Sequence, residues 1–155
     1  MTGRSTRSMV GAFSELFLKK YASKFYDAVN SRDIKKIIRW LERKYRDVIV
    51  PYAEDHPIIV SFIEEPLGKK IGELLGDYFV DRYEALSLEE KKKWNSDRWL
   101  HHGALGELIF IRGIRKHNSF FIGLGNGLMG SDAQDRNNWH TPEYEEALNE
   151  LRKMK

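Results

Sequence analysis

Five basic side chains in the first third of the chain, Arg32, Lys36, Arg39, Arg43 and Arg46, share one spacing. On a helix turning about 100° per residue they fall within roughly 80° of one another. A row of cations makes and breaks no bonds, but it can hold a row of anions. Four of the five are arginine, whose planar guanidinium forks onto phosphate oxygens more specifically than an ammonium does. A helix of about 15 residues spreads such a row over about 22 Å, and duplex DNA carries about one charge per 1.7 Å of axis. Asp33 and Glu42 lie off the centre of the row, whereas Lys20, Lys24, Arg4 and Arg7 add to the basic set upstream. The bland alternative is a solvated face, as lysine-rich helix faces commonly are. No Asn, Gln and Arg cluster suggests base reading, so the contacts expected are to the backbone and indifferent to sequence.

Three other constellations have the residue types for chemistry. His101 and His102, brought by a hairpin toward Asp132 and Asp135, offer imidazoles and carboxylates to a divalent ion that would activate water. Their spacing matches no tight ligand signature, so no metal and no cofactor is expected. Arg112 to His117 fits the Arg-x4-His pattern of HEPN-type helical ribonucleases, where arginine steadies phosphate charge and histidine moves the proton. Basic residues near a helix C-terminus are also stabilising there without any catalytic role. Gly125-Asn126-Gly127-Leu128-Met129-Gly130 reads formally as G-x-G-x-x-G, but a dinucleotide site needs a βαβ unit that the roughly 25 remaining residues cannot build. Tight packing is the better account, and the chain is read as a binding protein, not an enzyme.

The elements that must position these residues read as helices. Val10, Phe13, Phe17, Tyr21 and Ala28 recur at helical intervals in a first helix reaching about Val29, capped by Ser5 or Thr6. Ser31 is the expected cap of a second helix over about 32–48, with Ile34, Ile37, Ile38, Leu41, Tyr45 and Val48 as its apolar stripe and Trp40 at the margin. Pro51 is expected to end it and to mark a boundary between residues 1–50, a basic arm with nucleic-acid-binding helices, and residues 51–155, a helical bundle. Pro57 and Pro66 each suit the opening of a further helix. Gly68, Gly72 and Gly76 repeat every four residues beside an apolar stripe, which predicts close approach of another backbone. Lys69, Lys70, Glu73 and Asp77 exclude a membrane form of that motif.

Ser87-Leu88-Glu89-Glu90 has the form of a capping box. Residues 98–132 read as a helical hairpin turning at His117-Asn118-Ser119, with Gly103, Gly106 and Gly113 facing Gly123, Gly127 and Gly130. A β-hairpin is the competing reading, because Leu108 to Ile111 and Phe120 to Ile122 are strand-like. Thr141-Pro142-Glu143 opens a last helix. The fold class expected is therefore all-α: a basic arm and two helices, then a compact bundle of about four.

Composition sets the limits. The 155 residues carry no cysteine, 12% aromatics and a net charge of +3, enough for one domain with a sizeable core. That charge divides unevenly, +7 over residues 1–50 and −4 over the rest, as when one part meets a polyanion. No stretch has the roughly 18 apolar residues of a membrane span, and the N-terminus lacks the features of a secretory signal, so synthesis inside a cell is expected.

An arm of Gly3-Arg4-Ser5-Thr6-Arg7-Ser8, two helices with a basic face and a following bundle resemble the major capsid proteins of rod-shaped and filamentous archaeal double-stranded DNA viruses. The resemblance implies a bundle forming the wall of a helical filament, with arm and helices wrapped on the genome in A-form. Arg4, Arg7 and the row from Arg32 to Arg46 would face the DNA, and no catalytic residue carries over. It further implies self-association or a related second coat subunit, residence in the virion after synthesis in the host cytoplasm, no small-molecule substrate, and membrane contact only at the outer surface. Shape and phosphate contacts suit A-form duplex, whose deep, narrow major groove side chains read poorly. Two other readings are a free-standing helical nucleic-acid-binding regulator and a small HEPN-like or metal-dependent nuclease at the hairpin.

Overall fold

The computed structural model describes residues 6–31, 33–55, 60–96, 102–130 and 142–154. Helix α1 spans Thr6–Asn30 and α2 spans Ile34–Lys44; a π-helical turn over Tyr45–Ile49 leads into α3, Val50–Glu54. Then come α4 (Val60–Glu84), α5 (Leu88–Ser96), α6 (His102–Arg115), α7 (Ser119–Met129) and α8 (Pro142–Met154). The fold is all-α, with no strand among the described residues, so the hairpin is helical.

Helix α7 is the centre. Phe120 to Gly125 and Gly127 to Met129 are all buried, so it has no solvated face beyond Asn126 and its ends. It lies between α4 and α6; α1 packs on α4, α2 on α1, and α8 on α6. Small residues make the α4–α7 approach possible. A Cβ on Gly68 would meet the carbonyl oxygen of Phe120, and one on Gly127 would lie 2.9 Å from the Cα of Gly72. The close backbone neighbour predicted for Gly68 and Gly72 is thus α7. The hairpin pairing is only partly as expected. Gly106 does face α7, at Gly125 and Leu128, and Gly113 faces Phe121 and Ile122. Gly123 and Gly127 face α4 instead, against Glu65, Lys69 and Gly72, and the residue turned toward α6 is Gly125, against Phe110. The G-x-G-x-x-G string is therefore packing surface, ended by Gly130 at φ +49°, which suits glycine at a helix end.

Several local expectations are corrected. The helix begins at Thr6, so residues 6–8 belong to α1 and not to an arm. The cap of α2 is Asp33, whose Oδ1 accepts from the backbone N–H of Lys35 at 3.0 Å and of Lys36 at 3.4 Å. Ser31 turns back and donates to the carbonyl of Ala28. Pro51 does not end the helical run. Tyr45–Ile49 widen into the π turn, and helix resumes at Val50 with Pro51 in its first turn, where a missing N–H costs little. Pro66 likewise stands inside α4. A proline within a helix costs about 3 kcal/mol. Here the next two residues, Leu67 and Gly68, are buried, and the proline itself is exposed. The packing of that buried face against α7 holds the helix through the break.

One apolar cluster joins Val10, Phe17, Phe25, Ile37 and Leu41 to Leu67, Ile71, Phe79, Leu105 and Leu128. The core runs across residue 51 without a gap. A second cluster, Phe110, Ile114, Ile122 and Met129 with Ala147, seats α8. The capping box forms as expected: Ser87 N–H donates to Glu90 and Glu90 N–H to Ser87 Oγ, at 3.0 and 3.2 Å.

Candidate nucleic-acid interface

The position of α2 is set by its apolar stripe and three aromatic contacts. Ile37 and Leu41 are buried, with Ile34, Ile38, Tyr45 and Val48 packed at the cluster's edge. Trp40, 9% exposed, meets Tyr21 edge-on and Phe25 at 5.5 Å, which pins α2 to α1. At the far end the Tyr45 hydroxyl donates to Glu64 at 2.5 Å, and its ring lies 5.6 Å from that of Phe120. Burial and, secondly, that carboxylate raise the Tyr45 phenol well above its ordinary range. A helix so anchored must turn its opposite face outward. Lys36, Arg39, Arg43 and Arg46 are all exposed, as are Lys20 and Lys24 on α1. Arg7 lies in the first turn of α1. Arg4 and Arg32 fall outside the described residues.

The acids near the row are already engaged, one of them by Arg46 at the row's own end. Asp33 caps α2. Glu42 pairs with Arg112 of α6 at 3.1 Å, with 45% and 36% of the two side chains exposed. Asp47 pairs with its neighbour Arg46 at 2.9 Å, which holds the Asp47 carboxyl below its usual range and raises the guanidinium. Arg39 donates from Nε to the carbonyl of Lys35. Among the described residues no carboxylate bonds Lys36, Arg39 or Arg43. Among the described residues the centre of the row is thus left without a carboxylate hydrogen bond, though the nearby charge of Arg43 helps hold Asp47 low.

No family model matches this chain, nor does any curated protein or solved structure. What the site can do thus rests on its geometry.

Three cations that sequence reasoning did not assign to this face flank the row. Lys44 lies with its ammonium 4.9 Å from the Tyr21 ring centre and 5.5 Å from that of Trp40. The only signal for it was its place one turn after Trp40. Lys35 and Arg112, with Ile34, Ile38, Arg39 and Glu42, line an open groove of about 420 Å³ between α2 and α6. Nothing local links Arg112 to this face, since its partner stands 70 residues away. Basic side chains thus reach from α1 across α2 to α6, where Arg112 is held by Glu42.

The other constellations fare differently. His101, Asp132 and Asp135 lie outside the described residues, and His102 opens α6. No group of three or more potential metal ligands occurs among the described residues. Arg112 of the Arg-x4-His string is engaged by Glu42, and His117 is exposed in the hairpin turn at φ +53°. No helix among the described residues is long and apolar enough to cross a membrane.

Proposed function

We propose that this protein binds duplex DNA by its phosphates, without regard to sequence, and that copies lying side by side coat the duplex as a viral coat protein does. One observation carries the reading: the exposed centre of the row, Lys36, Arg39 and Arg43, has no carboxylate partner among the described residues. Cations so left exposed gain most from releasing condensed counterions on a polyanion. Arg4, Arg7, Arg32 and Arg46, with Lys20 and Lys24, are assigned to the same surface. No cofactor, substrate turnover or membrane contact at this surface is part of the proposal. Virion residence and pairing with a related second subunit belong to it as its biological setting.

The test is duplex binding across a salt series. The protein should bind duplexes of unrelated sequence alike, with affinity falling steeply as salt rises, by about 0.9 log unit per log unit of salt for each phosphate neutralised. Changing Arg39, Arg43 and Arg46 together to Glu, all at exposed positions, should leave circular dichroism unchanged and abolish binding. Retained binding in that variant would discard the proposal. Electron microscopy with linear duplex should show filaments of uniform width; a discrete dimer preferring one site would favour a regulator instead.

A further inference from the structure

On the α1 side of the row, three ammonium groups meet over one ring. Lys20, Lys24 and Lys44 place Nζ at 5.4, 5.9 and 4.9 Å from the Tyr21 ring centre. Two come from α1 and one from α2, so the cluster exists only because Trp40 and Tyr21 lock those helices together at 6.3 Å between rings. The ring's negative face attracts each ammonium, and this gathers like charges that repel one another. Among the described residues no carboxylate bonds any of the three. Asp47, whose titration feels Lys44, is already bonded to Arg46. Each ammonium brings three donors and no acceptor. Three such groups, each within about 6 Å of the centre of one ring, suit an oxyanion with several acceptor oxygens better than a planar carboxylate gripped in two places.

We infer that Lys20, Lys24 and Lys44, gathered over Tyr21, form a phosphate site distinct from the arginine row. The site takes one phosphate group, from the backbone of a nucleic acid or from free inorganic pyrophosphate. The inference deepens the proposed function and rests on it only for the first of these sources.

Calorimetry of the full chain with inorganic pyrophosphate tests it. The protein should bind pyrophosphate, the Tyr21 ring proton resonances should shift on titration, and Lys44→Gln should weaken binding at least ten-fold with circular dichroism unchanged. The Lys20→Gln/Lys24→Gln variant should behave alike. Absence of heat and of Tyr21 shifts with the wild-type chain, or equal affinity in Lys44→Gln, would overturn the inference. The charge-reversed arginine variant keeps the two readings apart, since it should lose duplex and still bind pyrophosphate. Where the source is a nucleic-acid backbone, Lys44→Gln also lowers the salt slope for duplex by about 1 and pyrophosphate competes with duplex. Where it is free phosphate, Lys44→Gln loses pyrophosphate binding and pyrophosphate does not compete with duplex.

Discussion

Gly127 of α7 and Gly72 of α4 lie backbone to backbone, so close that a Cβ on Gly127 would stand 2.9 Å from the Cα of Gly72 and 2.7 Å from the N of Glu73. Both neighbours are main-chain atoms of a helix, which cannot swing aside as a side chain can. Gly127→Ala must therefore push α7 away from α4 along the most buried seam of the molecule. Overpacking of well-packed cores costs about 1–3 kcal/mol and more where backbone must move. Thermal unfolding of Gly127→Ala should show a loss at or above the top of that range. Gly11→Ala is the control, because nothing lies within 4 Å of its Cβ. It should raise stability by up to about 1 kcal/mol through helix propensity. Equal melting temperatures for the two variants would refute this packing.

The Glu42–Arg112 pair ties α2 to α6 across 70 residues of sequence. With more than a third of each side chain exposed, solvent screens the pair, and its contribution to stability should stay within about 0.2–1 kcal/mol. Its larger effect is on charge. Glu42→Gln should barely lower the melting temperature and should tighten duplex binding, with the salt slope steeper by about 1 as Arg112 becomes free for phosphate. Unchanged affinity together with a large drop in stability would show that the pair is structural only.

Local pattern revealed the helices and the faces they bury, since Ile37, Leu41, Ile71 and Leu75 stand inward as the 3.6-residue period requires. It also revealed that Gly68 and Gly72 need a close neighbour. It could not say which one, because a helix buried all round, as α7 is, has no polar face to orient it. The prolines misled for a related reason: propensity marks Pro51 and Pro66 as helix starts or ends, while the packing around them decides otherwise. Ser31 and Asp33 both have capping chemistry, and only the backbone path showed which oxygen faced the free N–H groups. For the candidate interface, the arginine row was legible as spacing on one helix. Lys44 and Arg112 were not, since each joins the surface through a contact with another helix.

Acid should fray α5 from its first turn. The Glu90 carboxylate accepts from Ser87 N–H, and hydrogen bonds from Ser87 lower its pKa from the ordinary value. A depressed carboxylate stabilises the folded form above its unfolded pKa and loses that effect as pH falls through the lowered folded value. In a pH series by NMR, the Ser87 amide should keep its native shift through pH 5 and move only below the ordinary glutamate range. Movement centred in the ordinary glutamate range would show that the box is not closed in solution.

Asp47 gives a case in which binding responds while stability does not. Its carboxyl is held low by the hydrogen bond from Arg46, so the pair is intact at neutral pH and dissolves as pH falls through the lowered value. Both partners are widely exposed, 69% for Arg46 and 55% for Asp47, and losing such a pair should leave the melting temperature unmoved. Arg46, however, would be released from its neighbour and turned to solvent at the end of the basic row. Asp47→Asn reproduces that release at neutral pH. The variant should melt with wild type and bind duplex more tightly, with a salt slope steeper by about 1, whereas Arg46→Gln should shift the slope the other way. If Asp47→Asn bound duplex no better than wild type, Arg46 would lie outside the surface that meets phosphate, and the interface would end at Arg43.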